Sequence, residues 1–299
     1  MPEQVKGFMP QDRLMTFPDI ERVVRALVLV GVRKVRLTGG EPLMRPGLPD
    51  LIKSLSRIEG LEQIAMTTNG MMLRDTMADL KAAGLTHVNV SLDTLREEAF
   101  RRISRRDGLD RILEGIDAAV ASGLPVRLNA VVLRDVNLDD CVPLVQFAVS
   151  KGITIRFIEF MPLDADRSWS QSQVVSGREL KNRLERELGP MQERTGTEPS
   201  QPSRDYVFLH GGGCVGFIDP VSDPFCANCN RLRLTADGKF RNCLFGREEW
   251  DILPLLRQDA LDTQLLEVAS RCVEAKHPSH GISEDGFEPP ARAMYQIGG

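Results

Sequence analysis

Val35-Arg36-Leu37-Thr38-Gly39-Gly40-Glu41-Pro42 is the stretch whose reading decides the fold. Its first four residues alternate apolar and polar. They read as a strand with Val35 and Leu37 on one face and Arg36 and Thr38 on the other. Two glycines follow at once, where backbone must turn tightly or approach a ligand closely. Upstream, Ile20, Val23, Val24 and Leu27 recur at helical spacing between Phe17 and Val30. Thr16 with Asp19 three residues on marks the start of that helix, and Gly31 its end. Helix, strand and turn then repeat. Further strands read at 63–67, 87–92, 125–132 and 153–160. Helices read at 47–58, 72–83, 95–122 (broken near Asp107-Gly108) and 138–151. Such alternation predicts an α/β fold with a parallel sheet and right-handed crossovers. Five units are too few for a complete eight-stranded barrel. The choice is an incomplete parallel α/β barrel or an open doubly wound sheet.

Two other strands repeat the polar face of the first. Val88-Asn89-Val90-Ser91 places Asn89 and Ser91 together, and Val126-Arg127-Leu128-Asn129 does the same for Arg127 and Asn129. A packed barrel interior is filled by branched apolar side chains, and a buried arginine needs a partner. Polar inward faces therefore predict a lumen for a charged ligand. The plainer reading is a solvated sheet face, which parallel sheets seldom leave open. Small polar turns, Thr67-Thr68-Asn69-Gly70 and Ser91-Leu92-Asp93-Thr94, follow the second and third strands at the end where ligands bind. Each is also ordinary turn and cap chemistry.

After about residue 165 the composition changes. Ser176 with Glu179 predicts a capped helix ending at Gly189-Pro190, and 191–204 reads as an exposed loop. Short strands at 206–210, 214–219 and 231–235 and helices near 250–257 and 261–275 complete a smaller α+β unit. The domain reading is 1–165 and 166–299.

That second unit carries Pro224-Phe225-Cys226-Ala227-Asn228-Cys229-Asn230-Arg231-Leu232-Arg233, with Cys243 downstream. A C-x-x-C pair and a third cysteine have metal-ligand spacing. Three thiolates leave one position open, whereas structural zinc needs four ligands. Cys214 or His210 could supply the fourth, so zinc and iron–sulfur stay level on spacing alone. Arg231 and Arg233 beside the site suggest an anionic ligand. No acid, base or nucleophile stands out as catalytic.

The 299 residues hold six cysteines, which is not disulfide-scaffold usage. A net charge of −4 gives no general pull towards nucleic acid. No apolar run is long enough to span a bilayer, and Met1-Pro2-Glu3-Gln4-Val5-Lys6 has no signal-peptide character. A cytoplasmic setting, with neither membrane nor nucleic acid as partner, is the expectation.

Together these motifs resemble the MoaA family, the radical S-adenosylmethionine GTP 3′,8-cyclases of molybdenum cofactor biosynthesis. The resemblance rests on Thr38-Gly39-Gly40-Glu41-Pro42, Thr67-Thr68-Asn69-Gly70, Asn89-Val90-Ser91-Leu92-Asp93, Arg156-Phe157-Ile158-Glu159-Phe160-Met161, the cysteine block and the terminal Gly298-Gly299. It implies a barrel of the radical SAM type and a lyase. It implies an auxiliary [4Fe–4S] cluster on Cys226, Cys229 and Cys243, whose free iron meets the guanine of GTP. It assigns S-adenosylmethionine to Gly40, Ser91 and Met161. It assigns GTP to Arg36, Thr67, Arg127, Arg231 and Arg233, with Arg127 standing where the family usually has lysine. The implied reaction removes the C3′ hydrogen of GTP with a 5′-deoxyadenosyl radical and joins C3′ to C8. A reductant such as flavodoxin or ferredoxin, a pyranopterin monophosphate synthase taking the product, and a homodimer are the implied partners. The family also carries C-x-x-x-C-x-x-C near its N-terminus for a second, radical-forming cluster. These 299 residues lack it, and Cys141, Cys214 and Cys272 are too scattered to replace it. The expectation is a truncated chain without its first strand, unable as given to form the radical. Rival readings are another radical SAM enzyme with an auxiliary cluster and a non-enzymatic zinc- or nucleotide-binding fragment.

Overall fold

The computed structural model describes residues 10–163, 169–196, 198–258, 260–282, 284 and 286–297. Met1-Pro2-Glu3 and the terminal Gly298-Gly299 lie outside the described residues. In chain order the first elements are α1 (Phe17–Leu29), β1 (Lys34–Leu37), α2 (Leu48–Leu55), β2 (Gln63–Thr68), α3 (Leu73–Ala83) and β3 (His87–Ser91). Next come α4 (Glu97–Ser104), α5 (Leu109–Ala121), β4 (Val126–Val132), α6 (Cys141–Ser150) and β5 (Thr154–Glu159). The remainder is α7 (Gly177–Leu188), β6 (Met191–Glu193), β7 (Arg204–Phe208), β8 (Cys214–Ile218), β9 (Arg233–Leu234), β10 (Lys239–Arg241), β11 (Trp250–Asp251), α8 (Leu253–Arg257), α9 (Asp262–Glu274) and α10 (Met294–Ile297). The alternating α/β pattern is as the sequence predicts.

The chain divides into two compact units. One comprises 68–77 and 88–230. In it β3, β4, β5 and β8 run parallel, and β7 and β6 continue antiparallel from β8. Here the structure departs from the sequence reading. Cys214–Ile218 is a central strand of this sheet and does not belong to a small sheet around the cysteines. The reason is its apolar run: Val215 and Phe217 are buried, and Phe217 stacks on Phe157 of β5 with ring centroids 6.4 Å apart. The supposed loop after Gly189 also holds a strand, β6, because Met191 is buried and its segment pairs with β7.

The other unit comprises 2–67, 78–87 and 231–299. Its β1 and β2 pair in parallel, while β11, β10 and β9 form an antiparallel sheet. Met15, Val23, Phe240, Ile252, Leu256, Leu265, Val268 and Cys272 form one core that joins α1 to α9. Among the described residues no helix is long and apolar enough to cross a membrane.

Local signals place the ends of elements. The capping box at α1 is complete: the Asp19 N–H donates to Thr16 Oγ1 at 3.2 Å, and the Thr16 N–H to Asp19 Oδ2 at 2.8 Å. At α7 only half of the expected box forms. Ser176 Oγ accepts the Glu179 N–H at 3.2 Å, but the Glu179 carboxylate instead takes both arms of Arg134, at 2.6 and 2.8 Å. A bidentate guanidinium contact outweighs one backbone amide. The break between α4 and α5 falls at Gly108, whose φ of 116° suits glycine alone.

The Thr67-to-Gly70 turn is packed from behind by α5. A Cβ built on Gly115 would lie 2.5 Å from the Gly70 carbonyl oxygen and 3.0 Å from Leu73 Cβ. Gly115→Ala is therefore expected to destabilise the fold by about 1–3 kcal/mol through overpacking. Urea denaturation checks this: an unchanged midpoint would mean that α5 can withdraw at no cost.

Candidate functional site

Strand register gathers most of the predicted polar residues of the first unit into two rows. Ser91 pairs with Asn129, Asn129 with Arg156, Arg156 with Gly216, and Gly216 with Asp205. This row crosses β3, β4, β5, β8 and β7. The neighbouring row joins Asn89 to Arg127 and Arg127 to Thr154. Side chains on paired positions share a face. The alternation seen in β4 is real: Val126, Leu128, Ala130 and Val132 are buried, while Arg127 and Asn129 are only half-buried.

Two residues of this face were missed as candidates. Arg156, 7% exposed, donates to Asp205 Oδ2 at 3.1 Å. Asp205 also accepts the Ser203 hydroxyl at 2.5 Å and the Gln201 amide at 3.0 Å. The signal for Arg156 was present: it stands between Ile155 and Phe157 in β5 as Arg127 stands between Val126 and Leu128 in β4. Asp205 carried no such signal, because only the antiparallel return of β7 brings it opposite Gly216.

The two rows bring two arginines onto one face. Burial pushes the pKa of the Arg127 guanidinium below its ordinary value, and the charge of Arg156 pushes it further. Arg194 adds to that push, while Asp205 and Cys214 oppose it. The Nε of Arg156 is buried with no hydrogen-bond partner. A paired but incompletely satisfied arginine beside a second arginine is an arrangement that an added anion would stabilise.

The strand-end turns divide between structure and chemistry. Thr68 Oγ1 accepts the Gly70 N–H at 3.1 Å and Asn69 Oδ1 the Met71 N–H at 2.9 Å, which is turn chemistry. Asp93 accepts the Val131 N–H at 2.8 Å, and burial nevertheless lifts its carboxyl to about 6. Ser91 is exposed and Met161 half-buried in the same unit. In the other unit, Arg36 is exposed on β1 opposite Ala65, with Thr67 two residues further along β2. Gly40 is exposed in a turn that Glu41 closes by accepting the Leu43 N–H at 3.1 Å. Glu41 thus serves as a local cap.

The cysteines sort by burial. Cys141 and Cys272 are fully buried, and desolvation lifts their thiols to about 12 and about 11. Such thiols are inert structural groups. Cys226, Cys229 and Cys243 are half-buried, and none of the six cysteines is in a disulfide. Cys226–Asn228 makes one tight turn, closed by the Cys229 N–H on the Cys226 carbonyl at 3.0 Å. Cys226 and Cys229 belong to the first unit. Cys243, just after β10, belongs to the second, and so do Arg233 on β9 and Arg231, whose carbonyl accepts Lys276 Nζ at 3.2 Å. Among the described residues no three His, Cys, Asp or Glu side chains are arranged to hold a metal ion. The donor chemistry of the three thiols, accessible and reduced, fits an iron–sulfur cluster.

A cavity of about 360 Å³ opens elsewhere in the first unit, beside Tyr206 and Phe217. Two of its cations are already paired: Arg204 with Asp219 and Asp223, and Lys181 with Glu185.

Comparison with known proteins decides the family. The Radical SAM superfamily pattern matches residues 3–148, and that of Molybdenum Cofactor Synthesis C matches residues 153–282. A GTP 3′,8-cyclase of Rhodopirellula baltica is 47% identical over all of this chain and 84% of its own length. The chain belongs to the GTP 3′,8-cyclase family. Relatives of the same name from Corynebacterium glutamicum and Pelotomaculum thermopropionicum are 40% and 39% identical over the whole chain, and 82% and 92% of their own lengths are covered. In fold, the chain is similar to Streptococcus suis SuiB bound to S-adenosylmethionine. The TM-score is 0.62 at 14% identity, covering 86% of this chain and 61% of that one.

The second unit also shows how the segment near the C-terminus is held. Arg292 donates to both oxygens of Asp237, at 2.9 and 2.8 Å, and to Glu249 at 3.0 Å. Burial alone would raise the Asp237 carboxyl; the Arg292 fork and Thr235 outweigh it and hold the carboxyl at about 2. Because this folded value lies below the ordinary 3.8, the stabilisation is fully present above 3.8 and is lost as pH falls towards 2. Acid unfolding should show this loss in the wild type. Arg292→Met should flatten the profile in that window, and an unchanged profile would remove the pair from the account.

Proposed function

We propose that this chain is a GTP 3′,8-cyclase of molybdenum cofactor biosynthesis, with the inward face of β4 and β5 receiving the triphosphate. The observation that carries the reading is the closeness of Arg127 and Arg156 on one face of adjacent strands, where the charge of Arg156 disfavours that of Arg127 and Asp205 binds Arg156. A polyanion relieves the repulsion that lowers Arg127 and gives the Arg156 Nε–H an acceptor. Arg36 and Thr67 on β1 and β2, and Arg231 and Arg233 near β9, are assigned to the same ligand. Gly40, Ser91 and Met161 are assigned to S-adenosylmethionine. Cys226, Cys229 and Cys243 would hold the auxiliary [4Fe–4S] cluster. When bound, the auxiliary cluster would offer the base an iron with an open position; the radical chemistry would come from S-adenosylmethionine only with the second cluster, whose C-x-x-x-C-x-x-C ligands these 299 residues lack. The side chains of the chain bind and orient GTP, neutralise its phosphates and keep water from the reacting carbon.

Equilibrium dialysis of GTP against iron-loaded, anaerobically prepared protein tests this. One GTP should bind per chain, with affinity falling as salt rises. If GTP fails to bind while the iron is present, a radical SAM enzyme acting on another substrate becomes the better reading.

A further inference from the structure

Glu159 is the last residue of β5 and is 2% exposed. Its carboxylate is fully engaged by one short segment. Oε2 accepts the Val221 N–H at 2.7 Å and the Ser222 N–H at 3.0 Å, and Oε1 accepts the Ser222 hydroxyl. Burial raises its pKa, and these donors pull it back. Burying a carboxylate is costly, and three donors from two adjacent residues recover that cost only if the segment is held in one conformation. Val221 is itself buried, and four residues beyond Ser222 the chain reaches Cys226.

The other end of the same segment is fixed independently. Asp219 follows β8 and accepts the Gly177 N–H at 2.8 Å and Arg204 at 2.8 Å. Its carbonyl accepts the Asp223 N–H at 3.0 Å, closing the turn. The strand side is fixed too: the Phe160 carbonyl accepts Trp169 Nε1 at 2.8 Å. Residues 219–223 are thus clamped by two buried carboxylates, and the Cys226–Cys229 turn springs from that clamp.

We propose that Glu159 is a positioning residue for the cysteine turn: its carboxylate fixes Val221 and Ser222, and through them the direction in which Cys226 and Cys229 present their sulfurs. The inference rests on the reading that these cysteines hold an iron–sulfur cluster. It also ties the turn to the strand that leads, two residues on, to Met161. Residues that orient metal ligands typically change metal affinity by roughly 10–100-fold when lost.

The test is chelator competition on anaerobically reconstituted protein, reading iron per chain and the visible absorption of the cluster. Glu159→Ala should lower the chelator concentration that removes half the iron by roughly 10-fold or more. Glu159→Gln keeps one oxygen for the two backbone N–H groups and should recover part of that loss; Ser222→Ala should fall between Gln and wild type. Unfolding temperatures of the iron-free proteins are measured alongside. A merely structural role would lower those temperatures and leave the chelator midpoint of the folded protein unchanged. Cys226→Ser separates the two ideas. If it holds iron like the wild type, the cluster reading falls and takes the proposal with it. If Cys226→Ser loses iron while Glu159→Ala retains it like the wild type, the role of Glu159 alone is overturned. Should Glu159→Ala not fold, Glu159→Asp decides in the same way, since its carboxylate is withdrawn by one methylene.

Discussion

Asp205→Ala should destabilise the folded chain by about 3–5 kcal/mol, the usual result of stripping one partner from a buried ion pair. Asp205 and Arg156 are 7% and 8% exposed at their side chains, so water cannot replace the lost carboxylate. Removing Asp205 also frees the Ser203 hydroxyl and the Gln201 amide that it accepts, and it leaves Arg156 with a second unmet donor beside its partnerless Nε. The sheet leaves no room to adjust: a Cβ at Gly216 would stand 2.2 Å from Ser203 Oγ and 2.9 Å from Arg156 Cγ. Denaturant unfolding of Asp205→Ala, Arg156→Met and the double variant closes the cycle. The double variant should recover much of the loss, because the penalty lies in the stranded charge rather than in the missing pair. A cost for Asp205→Ala below about 1 kcal/mol, the range of exposed pairs, would show that water reaches Arg156. The stability of the pair has a functional side. Asp205 is the carboxylate that opposes the positive charge on Arg127, so the folded fraction of the variant should bind anions more tightly and with a steeper dependence on salt.

Much of this was legible in the residues. The alternation in Val35-to-Thr38, Val88-to-Ser91 and Val126-to-Asn129 gave strand, face and polarity together, because a period of two leaves no freedom once one face must be buried. Arg127 was found that way. What stayed hidden depended on partners distant in sequence. The Cys214–Ile218 strand joins the parallel sheet because Phe217 meets Phe157, a contact 60 residues apart that no local pattern carries. Glu159 looked like one more letter of a motif until Val221 and Ser222 folded onto it. Glu179 was expected in a capping box and turned instead to Arg134, 45 residues away. In each case the local signal was true as far as it went, and a tertiary partner decided between the options it left open.

Arg127→Ala should act in opposite directions on affinity and on stability. A charge-assisted hydrogen bond contributes about 1.5–3 kcal/mol, so loss of Arg127 should weaken GTP binding by roughly 10–150-fold. The same substitution should leave the ligand-free protein as stable as before or slightly more so. Arg127 is held by burial and by the neighbouring Arg156 in a setting that disfavours its charge, and alanine removes that repulsion. A residue kept only for the fold would show the reverse, losing stability with affinity intact. Arg127→Lys adds a finer test. Lysine keeps the charge but replaces the planar fork with a point charge, so most of the binding energy should survive while any bidentate component is lost. Titration calorimetry with GTP and denaturant unfolding without it read the two effects separately. If Arg127→Ala binds GTP as tightly as the wild type, the inward face of β4 does not receive the phosphates. The repulsion between Arg127 and Arg156 would then have to be explained by some other anion.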